Sequence, residues 1–149
     1  MTPRLALLAS IVVTTACGPR PPAQEAHTRK PGNTARSTTV EGQLRVAVGQ
    51  QVHLALQVAN GTAKAVELSF PSGHTHDFVV TDTTGREVWS WAEGRLFTQA
   101  MQNRVLGRDE SATWQADWDP GQHRGAFIAV VSLRSDSHPI EQRVRFDIP

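Results

Sequence analysis

The sequence predicts an all-β domain, an antiparallel sandwich, and three observations predict it. From Val40 onward the apolar residues recur at every second position. Turn-forming clusters interrupt these runs at the spacing of about 8–12 residues typical of sandwiches. Only Glu93 to Leu106 has a composition that could hold a helical turn or two. Alternation at period two puts one side-chain set on each face of a strand, so each run is read as half-buried.

The runs follow in order. Val52, Leu54, Leu56 and Val58 point one way, and His53, Ala55, Gln57 and Ala59 point the other. After the turn Asn60-Gly61 the pattern resumes at Val66, Leu68 and Phe70. Trp114, Ala116 and Trp118 alternate with Gln115 and Asp117. In the run Phe127 to Leu133 both alternating sets are largely apolar, which predicts a central strand covered on both faces. Val144, Phe146 and Ile148 form the last run. Pro71-Ser72-Gly73, Thr84-Gly85, Asp119-Pro120-Gly121 and Ser137-His138-Pro139 are the intervening turns, each with residues suited to tight backbone reversals.

The 149 residues carry a net charge of +1, but the charge is divided. Residues 18–39 hold Arg20, Arg29, Lys30 and Arg36 against Glu25, a balance of +3. From Val40 onward ten Lys and Arg face thirteen Asp and Glu, a balance of −3. A mildly acidic body without a basic stripe predicts no nucleic-acid partner. The single cysteine, Cys17, excludes an internal disulfide framework and any zinc site built on several cysteines.

The chain is expected to have three parts. Residues 1–17 read as a signal peptide: Arg4, then the apolar run Leu5 to Val13, then small residues up to Ala16 and Cys17. That run is about half the roughly 20 residues a spanning helix needs. The segment resembles a bacterial lipoprotein signal, which implies lipidation of Cys17 and export to the cell envelope. Gly18 after the cysteine resembles an outer-membrane address in a cell with two membranes. Residues 18–39, with Pro19, Pro21, Pro22 and Pro31 and no large apolar side chain, read as a disordered tether. Residues 40–149 are the folded domain.

Within that domain the segment Phe70-Pro71-Ser72-Gly73-His74-Thr75-His76-Asp77-Phe78 stands first in an ordered series of motifs. It is followed by Trp89-Ser90-Trp91 and Phe97-Thr98-Gln99-Ala100, with Asn60 ahead of it and Trp118-Asp119 after. This series resembles the BsuPI-type intracellular proteinase inhibitor domain. The resemblance implies an immunoglobulin-like β-sandwich and inhibition of a subtilisin-like serine protease. Export would move the target from the cell interior to the envelope, where the partner is a protease or another envelope protein. The motif residues are expected to be structural. Gly73 supplies a turn conformation, Asp77 accepts N–H bonds from that turn ahead of a buried Phe78, Trp89 and Trp91 form one wall of the core, Gln99 bonds a strand edge, and Phe97 is a further motif residue expected to be structural.

Candidate chemistry is sparse. Ser72, His74 and Asp77 lie close in sequence, but a catalytic triad draws on separate elements and needs an oxyanion hole, so no catalytic residue and no enzyme activity is expected. His74 and His76, two apart on an extended chain, would share a side about 7 Å apart and could hold Zn²⁺ or Cu²⁺. Asp77, His53 or His123 would then add a ligand. Three functions follow: an envelope-anchored protein-binding module, with inhibition implied by the resemblance and no cofactor; a metal-handling lipoprotein using His74 and His76; and a passive structural or assembly domain. The loops Ser72–Thr75, Trp91–Gly94 and Asp117–Arg124 are the candidate binding loops.

Overall fold

The computed structural model describes residues 39–149; Cys17, the signal segment 1–17 and the tether as far as residue 38 lie outside the described residues. Nine strands make up the described part: β1 Val40–Val48, β2 Val52–Asn60, β3 Val66–Phe70, β4 His76–Asp82, β5 Glu87–Ser90, β6 Gln102–Leu106, β7 Ser111–Trp118, β8 Gly125–Leu133 and β9 Ile140–Ile148. They pair antiparallel in three sheets: β1-β2-β7, β3-β6 and β5-β4-β8-β9. The all-β sandwich class expected from the alternation is the class observed.

The alternation shows directly in burial. Val52, Leu54, Leu56 and Val58 of β2 are at most 1% exposed, and their odd-numbered neighbours face outward or are half-buried. Phe78 and Val80 of β4, Phe127, Ala129, Val131 and Leu133 of β8, and Phe146 and Ile148 of β9 meet them in one apolar cluster. Leu68, Phe70 and Leu106 extend that cluster from the β3-β6 pair. Trp118 joins the layers, its ring edge-on to Phe127 at 5.7 Å and to Phe146 at 6.5 Å. β8 is central, as its two apolar faces predict: it pairs with β4 on one edge and β9 on the other.

Asn60, the residue at the end of β2, is a buried polar joint at 1% exposure. Its Nδ2 donates to the carbonyls of Lys64 at 2.8 Å, Leu106 at 3.0 Å and Gly107 at 3.0 Å. Its Oδ1 accepts from the Thr62 N–H at 2.9 Å and the Thr62 hydroxyl at 2.7 Å. One side chain thus ties the end of β2 to the start of β3 and the end of β6. It supplies partners that buried backbone groups would otherwise lack.

The expected helical turns in Glu93 to Leu106 are not formed. A turn spans Trp91 to Gly94, an irregular stretch follows, and Gln102–Leu106 is strand β6. Gly94 has a φ of +70°, outside the helical region, and Leu96 and Met101 face solvent. Helical spacing would align Phe97, Met101 and Val105, but Met101 and Val105 face solvent here, so that stripe has no core to pack on, and short helices depend on such burial. Pairing with β3 instead satisfies the backbone.

Candidate functional site

β4 begins at His76, opposite Leu133, and ends at Asp82, opposite Phe127. Its start receives the loop Ser72–Thr75, and the Asp117–Arg124 loop feeds β8 at the other end. The three candidate loops therefore separate. Ser72–Thr75 meets the segment that begins at Trp91, and Asp117–Arg124 does not.

The Asp117–Arg124 loop is closed on itself. Asp119 Oδ1 accepts from the Gly121 N–H at 2.9 Å, the His123 N–H donates to Pro120 O at 2.8 Å, and Arg124 donates to the Gly121 and His123 carbonyls. Trp118 stacks on Trp89 at 6.3 Å beneath it.

The other end is built on aromatic contacts. The Trp91 N–H donates to Phe78 O at 2.8 Å, extending the β4-β5 pairing by one residue. The Trp91 ring lies 4.2 Å from His76, which in turn contacts Phe78 and Trp114. Arg95 folds back onto Trp91: its Nε donates to Trp91 O at 2.7 Å, and its guanidinium carbon lies 4.4 Å over the ring. Phe97 stacks on His74 with ring centroids 4.2 Å apart and planes 6° from parallel. The Gly73 N–H donates to Thr98 O at 2.9 Å. Between Arg95 and Phe97, both held against the scaffold, the Leu96 side chain is 100% exposed.

Several motif residues do their work differently from the sequence expectation. Gly73 does not adopt a left-handed conformation. A Cβ there would lie 2.7 Å from Thr98 Oγ1 and 3.3 Å from Thr98 N, so the glycine permits close approach of two loops. Asp77 does not cap the turn. Its Oδ1 is buried with no hydrogen-bond partner among the described residues, and its Oδ2 lies 3.6 Å from His74 Nε2. The capping carboxylate is Asp82, in the β4-β5 hairpin. It accepts from the Thr84 hydroxyl at 2.5 Å and from the Thr84 and Arg86 N–H groups at 2.9 and 3.0 Å, bonds that hold its pKa down to about 2. Gly85, with a φ of +87°, completes that turn. Gln99 is exposed and reaches only the carbonyl of Phe97, at 3.3 Å, and no strand edge. Phe78 is buried, and Trp89 and Trp91 pack partly buried on the core.

His76 is buried, and its surroundings disfavour the imidazolium. Burial, then the nearby charges of His74 and Arg95, push its pKa down from 6.5 to about 4. Thr75 Oγ1 lies 3.0 Å from its Nδ1. Both histidines contact Trp91, and of the additional ligands foreseen for a metal Asp77 lies 3.6 Å from His74, but the other two are remote: His53 pairs with Asp117 across β2 and β7, and His123 lies beside Trp118 and Phe127. Among the described residues no three His, Cys, Asp or Glu side chains converge to hold a metal ion. Ser72, His74 and Asp77 do not form a relay, because Ser72 Oγ accepts the backbone N–H of His74 and the His74 ring is stacked on Phe97.

Sequence reasoning singled out Trp91–Gly94 and Phe97–Ala100 and passed over Arg95 and Leu96 between them. Neither periodicity nor motif marks a lone leucine in a polar segment as exposed; its isolation emerges only when both neighbours are seen to be anchored.

A search of curated proteins finds no match. Among solved structures the chain is similar to a β-glucosidase involved in saponin metabolism from intestinal bacteria, at 15% identity and a TM-score of 0.42, over 75% of this chain and 16% of that one. It is also similar to a Northeast Structural Genomics Consortium target, at 12% identity and a TM-score of 0.38, over 74% of this chain and 85% of that one. The family model described as BsuPI, intracellular proteinase inhibitor, matches residues 39–138, nearly the whole described domain. The chain belongs to the BsuPI family of proteinase inhibitors.

Proposed function

We propose that this protein inhibits a subtilisin-like serine protease of the cell envelope, presenting the segment from Trp91 to Met101 to the enzyme. The observation that carries this reading is the anchoring of that segment on both sides of an exposed leucine. A protease inhibitor must offer a loop that is already ordered, because ordering it on binding would consume the affinity. Small inhibitors often rely on disulfides for this, which this domain lacks. Here the contacts of Trp91 with His76, Phe97 with His74 and Thr98 with Gly73, and of Arg95 with Trp91, take that role. The protein would reach its target through export and a lipid anchor on Cys17, in the outer membrane of a cell with two membranes, with residues 18–39 as spacer. The basis for the anchor is the apolar run Leu5 to Val13 followed, after Thr14-Thr15-Ala16, by the single cysteine Cys17. The test is residual activity of a panel of extracellular serine proteases titrated with the full chain. Loss of activity with the chain left intact supports inhibition; unchanged activity with digestion of the chain overturns it.

A further inference from the structure

We infer that Leu96 is the residue that enters the protease's primary specificity pocket, and that the targets are serine proteases whose pocket is deep and apolar. The assignment rests on the inhibitor reading above and adds the point of contact and the class of enzyme.

Four large apolar side chains among the described residues are exposed: Val48, Leu96, Met101 and Val105. Val48 ends β1, and Val105 lies within β6, paired with Glu67 of β3. Met101 is 71% exposed and directly precedes β6. Leu96 alone combines full exposure with an anchor on each adjacent residue. Arg95 is held to Trp91 by a 2.7 Å hydrogen bond and by its guanidinium over the ring. Phe97 is held by its stack on His74, and the next carbonyl, of Thr98, accepts the Gly73 N–H. The leucine is thus displayed by a loop whose flanking residues are already held, so little ordering cost is left for binding.

The same contacts decide against the alternatives. Arg95 is the nearest basic side chain, and a protease with a carboxylate at the base of its pocket would require it. Engaging that exposed guanidinium would break its hydrogen bond and ring contact with Trp91, whereas Leu96 has no contact to give up. Phe97 is half-buried against His74 and is not available either. A branched aliphatic side chain without polar atoms fits an apolar slot, and its burial on binding comes without loss of any existing packing.

The experiment measures inhibition of subtilisin, chymotrypsin and trypsin by the full chain and by Leu96→Gly, Leu96→Arg and Val48→Thr, the last an exposed strand end away from the segment. Melting curves of the variants should lie within a few degrees of wild type, since Leu96 is fully exposed and Val48→Thr keeps the side-chain shape. The wild type should inhibit at least one of the two enzymes with apolar pockets and spare trypsin. Leu96→Gly should weaken that inhibition by about 30-fold or more, in the range of a binding hot spot. Leu96→Arg should lose it and gain inhibition of trypsin, and Val48→Thr should behave as wild type. If the wild type inhibits and the Leu96 variants inhibit equally well, the assignment of Leu96 is wrong and the inhibitor reading stands. Inhibition of trypsin by the wild type, with the other two enzymes untouched, also overturns the assignment. If the wild type inhibits none of the three, the assignment falls, and the wider protease panel then decides the inhibitor reading on its own.

Discussion

Replacing Asn60 by alanine should be among the most damaging single changes in the domain, although the residue is polar and lies away from the anchored loop. Five hydrogen bonds of 2.7–3.0 Å end on its side chain. They are not equal. Lys64 and Thr62 lie near solvent, and water replaces Asn60 there at little cost. Leu106 O is in a buried setting, and its loss of a partner carries the desolvation penalty of an unpaired carbonyl, about 1–3 kcal/mol. The remaining bonds add roughly 0.5–1 kcal/mol each where water substitutes poorly. The sum is about 3 kcal/mol, a large share of the 5–15 kcal/mol typical of a domain. For a domain of about 110 residues that lowers Tm by roughly 12–15 °C. Gln99→Ala, which removes one exposed bond to Phe97 O, should shift Tm by less than about 3 °C. Thermal unfolding followed by circular dichroism measures both. An Asn60→Ala melting point within about 3 °C of wild type would refute the argument that this side chain joins β2, β3 and β6.

The acid limb of stability should depend on His76. The unfolded ring takes up a proton near pH 6.5 and the folded ring only near pH 4, so the folded state holds full strength above pH 6.5 and weakens as pH falls toward 4. The loss is about 2 kcal/mol after allowance for residual solvent contact of the ring, and His76→Phe should flatten denaturant-measured stability over that window; equal slopes for the two proteins would contradict it. Gly73→Ala should lower stability by about 1 kcal/mol through crowding against Thr98, and adding Thr98→Ala should recover half or more of it in a double-mutant cycle. Strict additivity would show that the two loops do not meet there. A palmitate analogue should label the wild-type chain in cells, and Cys17→Ser should lose both label and membrane retention; a Cys17→Ser chain that still sediments with membranes would sink the lipid anchor.

The strands were legible because a half-buried strand writes its burial into the sequence at period two, as in Val52 to Val58 and Phe127 to Leu133. β6 was less legible. Gln102 to Val105 is exposed, so no alternation records it, and only Leu106 turns inward. Motif residues could be ranked as structural from sequence, but their partners could not. Whether a glycine is needed for φ or for space depends on what packs opposite, and Thr98 lies far from Gly73 in sequence. Asp77 and Asp82 both flank turns in sequence, and only the hairpin geometry makes Asp82 the cap. The exposure of Leu96 is a property of its anchored neighbours and has no signature of its own.

The most direct test of the account is amide hydrogen exchange of the full chain, alone and mixed with a subtilisin whose nucleophilic serine has been replaced by alanine so that neither protein is digested. The account predicts new protection confined to Trp91–Met101 and Ser72–Thr75, with Asp117–Arg124 unchanged. Protection at the Asp117–Arg124 end instead, or none anywhere at saturating protease, would contradict it.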